Sequence, residues 1–353
     1  MESKEIGGRS ATRTLTVTTC RTGHRCRAAA ATLLLVAVGL AIVAAQAPVK
    51  AYRIAILAFP AQPVAQTVAG VASFRRRLAA LGWIEGRNVV IEERHVEREQ
   101  LDEAAARIVR ERVDLIVAVT IPAGLAAKKA TATIPIVMAT SADPVGSGLV
   151  ESLARPGGNV TGLSFAGHEL PGKRLELLGQ MVPRLAHVGA VYPQRSMQVP
   201  FVSQWIAETE RAARALALTL QRVPAPHPAD WDATFAAAKR DGVRGLTLVE
   251  SPDFLAEASL IAAAALRHRL PTVFGGRAHV DAGGLMAYGD SASDQRWARA
   301  AAYVDKILRG TKPADLPVEQ STTFDLVINA KTAKVLALAI PSALRLQAAE
   351  ILE

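Results

Sequence analysis

Residues 113–165 read VDLIVAVTIPAGLAAKKATATIPIVMATSADPVGSGLVESLARPGGNVTGLSF, and this stretch decides the fold class. It repeats one pattern three times: a short apolar strand, a turn of small or hydroxyl residues, then an amphipathic or glycine-marked segment. Strands joined by such crossovers run parallel, because parallel neighbours need a long connection. Asp114–Val119 is apolar at nearly every position, as a strand covered on both faces must be. The turns all open at the carboxyl ends of the strands, where open α/β sheets hold ligands.

The same rhythm extends in both directions. Upstream, Tyr52–Ala58 reads as a strand, Val64–Leu81 as a helix, Asn88–Glu92 as a strand and Gln100–Arg112 as a helix. Gly157-Gly158-Asn159 breaks the pattern, and Val160–Phe165 reads as a crossing strand. A second cycle follows. Its strands are Ala186–Val191, Thr219–Val223, Gly245–Val249 and Thr272–Phe274, each with a helix between. Leu285–Tyr288 and Pro317–Thr323 read as two further crossings, and Ala330–Leu338 as a last helix. The expected fold is α/β, with two doubly wound, Rossmann-like lobes whose parallel sheets are joined by hinge strands. Residues 48–163 form the first part of lobe 1, 164–286 form lobe 2, and 287–353 return to lobe 1 with a hinge strand and a C-terminal helix.

The N-terminus carries its own signal. Arg25 and Arg27 precede the uncharged run Ala28–Ala47, which ends Ala45-Gln46-Ala47, the small-x-small pattern of signal peptidase sites. Residues 1–47 are expected to be a signal peptide, with the mature chain beginning near Pro48 in the periplasm. The alternative is a retained anchor facing the same compartment, since about 18 apolar residues can span a bilayer. Both cysteines, Cys20 and Cys26, precede the run, so the mature part has no thiol chemistry.

Of the net charge of +9, residues 1–47 carry +4 and the remainder +5, dispersed along helices. Nucleic acid would want a clustered stripe, so it is not expected as a partner. The seven histidines are isolated and make no zinc spacing, so no metal is expected. Gly167–Lys173 nearly spells a phosphate loop, but Arg174 stands where a hydroxyl should bind magnesium, and Pro171 removes a donor. Gly162–Ala166 nearly spells a nucleophile elbow, with Ala166 in place of the second glycine. The residues thus favour a binder without cofactor over an enzyme.

Beyond these patterns, an ordered set of blocks resembles one family. They include FRRRLAALGWIEGRNVV at 74–90, AAKKATATI at 126–134, DPVGSGLVESLARPGGNVTGL at 143–163 and GKRLELL at 172–178. The C-terminal blocks are HRLP at 268–271, AGGLMAYG at 282–289, residues 301–307 and PVEQSTTFDLVI at 317–328. Over residues 52–345 the chain resembles the substrate-binding proteins of ABC transporters, in the branch that binds tryptophan and related amino acids. The resemblance implies a type I periplasmic binding fold and a small amino-acid-like or aromatic solute held between two lobes. It also implies a membrane permease as partner and a monomeric binder. A sensor for a membrane receptor is the other binding role, and an enzyme on the same scaffold the third reading. Three positions depart from the family pattern: Ile121, Pro193-Gln194 and Ala278-His279.

The strand-end rule places the candidate ligand residues. Lobe 1 is expected to offer Phe59, Pro60, Thr120, Ile121, Pro122, Thr140, Ser141 and Asp143. Lobe 2 is expected to offer Tyr192, Pro193, Glu250, Ser251, Phe274, Gly275 and Arg277. Asp143 has two readings of equal weight. It accepts a ligand ammonium, or it caps its own turn.

Overall fold

Alternation along the central strands builds the first lobe. In β1 (Tyr52–Ala58) and β3 (Leu115–Ala118), Ile54, Ile56, Leu115 and Val117 face one apolar layer. Ala55, Leu57, Ile116 and Ala118 face the other. A period of two with apolar residues at both phases forces a cover on each face. Helices α1 (Ala65–Ala80) and α10 (Ser293–Leu308) cover the first face through Val71, Phe74, Leu78, Trp297 and Val304. Helices α2 (Leu101–Arg110) and α3 (Ile121–Ala130) cover the second through Leu101, Ile108, Ala123 and Ala127.

We describe a computed structural model; it covers residues 50–353 except 62, 166–169, 198, 227, 291–292 and 322. The expected signal at 1–47 lies outside the described residues, with Cys20, Cys26 and His24, and so do His168 and His227.

The first sheet adds β2 (Val89–His95), β4 (Ile136–Ser141), β5 (Val160–Ser164) and β11 (Glu319–Gln320). Its order is β11-β5-β4-β3-β1-β2, and every pairing is parallel. The second sheet contains β6 (His187–Pro193), β7 (Thr219–Ala225), β8 (Gly245–Leu248), β9 (Thr272–Phe274) and β10 (Met286–Asp290). It is completed by β12 (Phe324–Asn329) and β13 (Ala348–Leu352), in the order β13-β12-β10-β9-β8-β6-β7. Only β10–β12 is antiparallel among these pairings. The helices of this lobe are α4 (Leu170–Met181), α5 (Pro200–Ala215), α6 (Trp231–Arg240), α7 (Pro252–Ala256), α8 (Ala258–Arg267), α9 (Arg277–Asp281), α11 (Ala330–Val335) and α12 (Ser342–Gln347).

The chain crosses between sheets three times: after β5, after β10 and after β11. The C-terminal expectation needs correction here. Residues 293–320 do return to lobe 1, but 324–352 go back to lobe 2 and extend its sheet with β12 and β13. The reason is apolar pairing: Leu326 and Ile328 bury against Met286 and Val273, and Leu344 closes the same layer. Leu285–Tyr288 likewise belongs mainly to lobe 2, as the strand β10.

Among the described residues, no helix is long and apolar enough to cross a membrane. Nor does any group of three or more His, Cys, Asp or Glu among them stand where it could hold a metal ion.

Candidate functional site: a cleft between the lobes

Both sheets point their carboxyl ends at one space, and a cavity of about 200 Å³ lies there. Lobe 1 lines it from the ends of β1, β3 and β4, with Phe59, Pro60, Thr120, Ile121, Pro122 and Thr140. Lobe 2 lines it from the ends of β8 and β9, with Glu250, Ser251 and Gly275. These nine sequence-derived candidates meet at one site.

Local structure explains their placement. Thr120 caps α3, its Oγ1 accepting from the Ala123 N–H at 3.4 Å, with Pro122 in the first turn. A hydroxyl oxygen at this position satisfies a donor the helix cannot, and proline there loses nothing. Ser251 does the same for α7, accepting from the Asp253 N–H at 3.2 Å ahead of Pro252. Both hydroxyls keep their own O–H free to donate. The Thr140 hydroxyl instead donates to the Val119 carbonyl and keeps its oxygen free to accept. The cleft thus offers donors and acceptors of fixed direction.

The remaining six candidates stand apart from this cavity. Tyr192 and Phe274 are buried in the lobe 2 core. They lie within β6 and β9, where strand alternation turns them into the layer under the helices. Pro193 is the last residue of β6 and is buried too. Arg277 opens α9 and points to the surface, where it pairs with Asp281 and Glu350. Ser141 is buried within β4. The Asp143 carboxylate accepts from the Gly146 N–H at 2.8 Å, closing its own turn, and it borders a smaller side pocket. Geometry therefore favours its turn-capping reading.

The cavity also holds residues that strand reading does not find. Arg98 follows β2 and lies over the Phe59 ring, 4.7 Å from its centroid. Arg296 and Trp297 come from α10, on a helix that starts after the second crossing. Phe165, Phe201 and His279 complete the aromatic wall. Asp290 was not among the candidates either, although it lies at the carboxyl end of β10, where the strand-end rule could have found it.

Each charge lining the cavity has an opposite partner. Arg98 donates to Asp253 at 3.3 Å. Arg174, buried in α4, donates from Nη2 to Glu250 at 2.5 Å and from Nε to the Tyr288 carbonyl at 2.7 Å. Arg296 donates to Asp290 and lies over Phe165. His279 stacks on Phe274 with centroids 4.7 Å apart, and its Nε2 lies 3.2 Å from the Phe254 carbonyl. Burial pushes its pKa down to about 4, so it stays neutral at neutral pH. The carbonyl contact requires the proton on Nε2.

Comparison with known proteins places this architecture. The family described as ABC transporter substrate binding protein matches residues 53–352. A tyrosine-binding protein of Clostridioides difficile (strain R20291) is 36% identical over 121 residues, and that match spans 34% of each chain. The matched part is thus about a third of that curated relative's length. An ABC domain from Streptococcus pneumonia, solved with L-Trp, superposes with a TM-score of 0.78 at 24% identity, covering 86% of this chain and 100% of that one. A conserved domain protein from Vibrio cholerae O1 biovar El Tor gives 0.78 at 25%, covering 86% and 99%. The two lobes of mostly parallel strands have the type I periplasmic binding fold. With its family match running through both lobes, the chain belongs to the ABC transporter substrate binding protein family.

Proposed function

We propose that this protein is the extracytoplasmic solute-binding component of an ABC importer. It encloses one small amino-acid-like, aromatic solute between its lobes and delivers it to a membrane permease, working as a monomer exported by the segment at 1–47. One observation carries the reading: the cavity is walled from both lobes by aromatic side chains, and its charges come in compensated pairs. Such a site has no net charge to offer a simple anion or cation. A zwitterion brings one charge of each sign and exchanges contacts with the pairs without leaving a charge buried alone. Phe59, Phe165 and Phe201 suit a planar apolar side chain. The tyrosine and tryptophan named for two similar proteins support the same class of solute.

The test is a thermal-shift and calorimetric panel of L-amino acids, simple sugars and aromatic acids. L-Tyrosine or L-tryptophan is expected to bind one to one and to raise stability by about 2.7 kcal/mol at a hundred times Kd. Binding of a sugar, with no response to any amino acid, would overturn the reading.

A further inference from the structure

We infer that Arg98, Glu99, Arg195 and Asp253 form an ionic latch across the mouth of the cleft, which sets how far the lobes are closed before solute arrives. Arg98 and Glu99 belong to lobe 1, just after β2; Arg195 follows β6 and Asp253 lies in α7, both in lobe 2. The charges alternate along a chain. Arg98 donates to Asp253 Oδ2 at 3.3 Å, Arg195 to Asp253 Oδ1 at 2.6 Å, and Arg195 again to Glu99 at 3.3 Å. The chain therefore crosses from lobe to lobe twice.

Sheet order locates the latch. The strands next to the crossings, β5 and β11 in lobe 1 and β10 and β12 in lobe 2, occupy one side of each sheet. β2 is the far edge of the first sheet, and β6 lies one strand from the far edge of the second. Glu99 and Arg195, after β2 and β6, pair between these far sides opposite the hinge, where a bond has the most leverage over opening; Asp253 follows β8, the next strand inward. The Asp253 side chain is only 8% exposed and serves two guanidiniums, so separating the lobes strips it of Arg98 while it stays beside Arg195. Phe201 adds an apolar clasp, packing against core clusters of both lobes. Arg98 ties the latch to the solute site, because the same guanidinium covers Phe59 in the cavity wall.

The consequence is a population effect. If solute is held by the closed form, apparent affinity scales with the closed fraction. The Arg195–Glu99 pair is the solvent-exposed part of the latch, so added salt weakens it and closure should fall as salt rises. This role in affinity rests on the solute-binding reading; the effect on closure does not.

The experiment uses the full chain with Cys20 and Cys26 replaced by serine, and spin labels at E103C on α2 and A233C on α6, both exposed positions. Inter-label distances are measured without solute at about 50 mM and about 500 mM salt. The unmodified latch is expected to give a short-distance population that shrinks at high salt. Asp253→Asn should show the longer distance at both salts. Glu99→Arg should do the same, and Glu99 is exposed enough that its folding is not at risk. With L-tryptophan as the probe, both variants should bind roughly 3–10-fold more weakly, through faster release. Identical distances in all three proteins at both salts would overturn the latch, even if L-tryptophan binds. Distances that respond as expected with no binding of L-tryptophan or L-tyrosine would uphold the latch and count against the proposed solute.

Discussion

The indole of Trp297 lies against Gly70 so closely that a β-carbon built on that glycine would stand 2.0 Å from Nε1. Helix α10 reaches α1 only after the chain has passed through the second lobe, so this contact locks a late segment onto an early one. Trp297 also meets Phe74 edge-on at 6.2 Å and is almost wholly buried.

Gly70→Ala is therefore expected to destabilise the fold, although alanine favours a helix. Overpacking a rigid contact costs about 1–3 kcal/mol, against about 1 kcal/mol of helix propensity gained. Urea denaturation gives the balance. A variant with a higher midpoint would mean that α10 can move off α1 at no cost.

His279 makes acid stability a second test. Its pKa is about 4 in the fold, against 6.5 for an unperturbed histidine, and desolvation by burial is the main cause. The unfolded chain takes up the proton first as pH falls. Stability from this group is thus complete above about 6.5, is lost between 6.5 and about 4, and changes no further below. The full loss is of order 3 kcal/mol. His279→Asn should flatten this part of the profile, so the difference between the two denaturation curves isolates the histidine. Parallel curves from pH 7 to 4 would count against a buried neutral imidazole.

Where the sequence was legible, one physical rule dominated. β3 and β4 read clearly because both faces are covered, so β3 is apolar throughout and β4 is apolar as far as Ala139. β13 (AAEIL) did not, because a half-exposed sheet edge leaves no alternation to read. At the site, Thr120 and Ser251 were legible as hydroxyls at strand ends, and the structure adds that they cap α3 and α7. Tyr192 misled because β6 runs two residues beyond Val191, to Pro193, and keeps it in the core. Arg296 was hidden although residues 287–353 were assigned to lobe 1, because it stands in the first turn of α10 and not at the end of a strand.

Asp143 gives a third prediction. Its carboxylate holds the Gly146 N–H, and asparagine can accept the same bond. Asp143→Asn should bind solute within about two-fold of the parent. Asp143→Ala should lose roughly 1 kcal/mol of stability with the turn bond. A large loss of affinity in the asparagine variant, measured by calorimetry with L-tryptophan, would return Asp143 to the ligand.

Glu250 is the fourth case, and it separates support from recognition. Its carboxylate reaches the cavity while Arg174, 2% exposed, holds one oxygen at 2.5 Å. Arg174 is itself fixed by the Tyr288 carbonyl at the end of β10. A carboxylate anchored in this way can accept from a solute ammonium without reorienting, and its charge stays compensated when the cleft is empty. Glu250→Gln keeps the size and an acceptor oxygen but removes the charge. If Glu250 receives the ammonium, affinity should fall by about 1.5–3 kcal/mol, the worth of a charge-assisted hydrogen bond. Stability should fall as well, because Arg174 then lies buried without its counter-charge, and breaking a buried pair costs about 3–5 kcal/mol. Arg174→Lys tests the other half: it keeps the charge but loses the fork that binds Glu250 and Tyr288 together. Its affinity loss should be smaller than that of Glu250→Gln if Glu250 touches the solute. Should Glu250→Gln lose stability yet bind L-tryptophan as the parent does, the Arg174–Glu250 pair is a support for the cleft wall, and Asp290 becomes the acid to test for the ammonium.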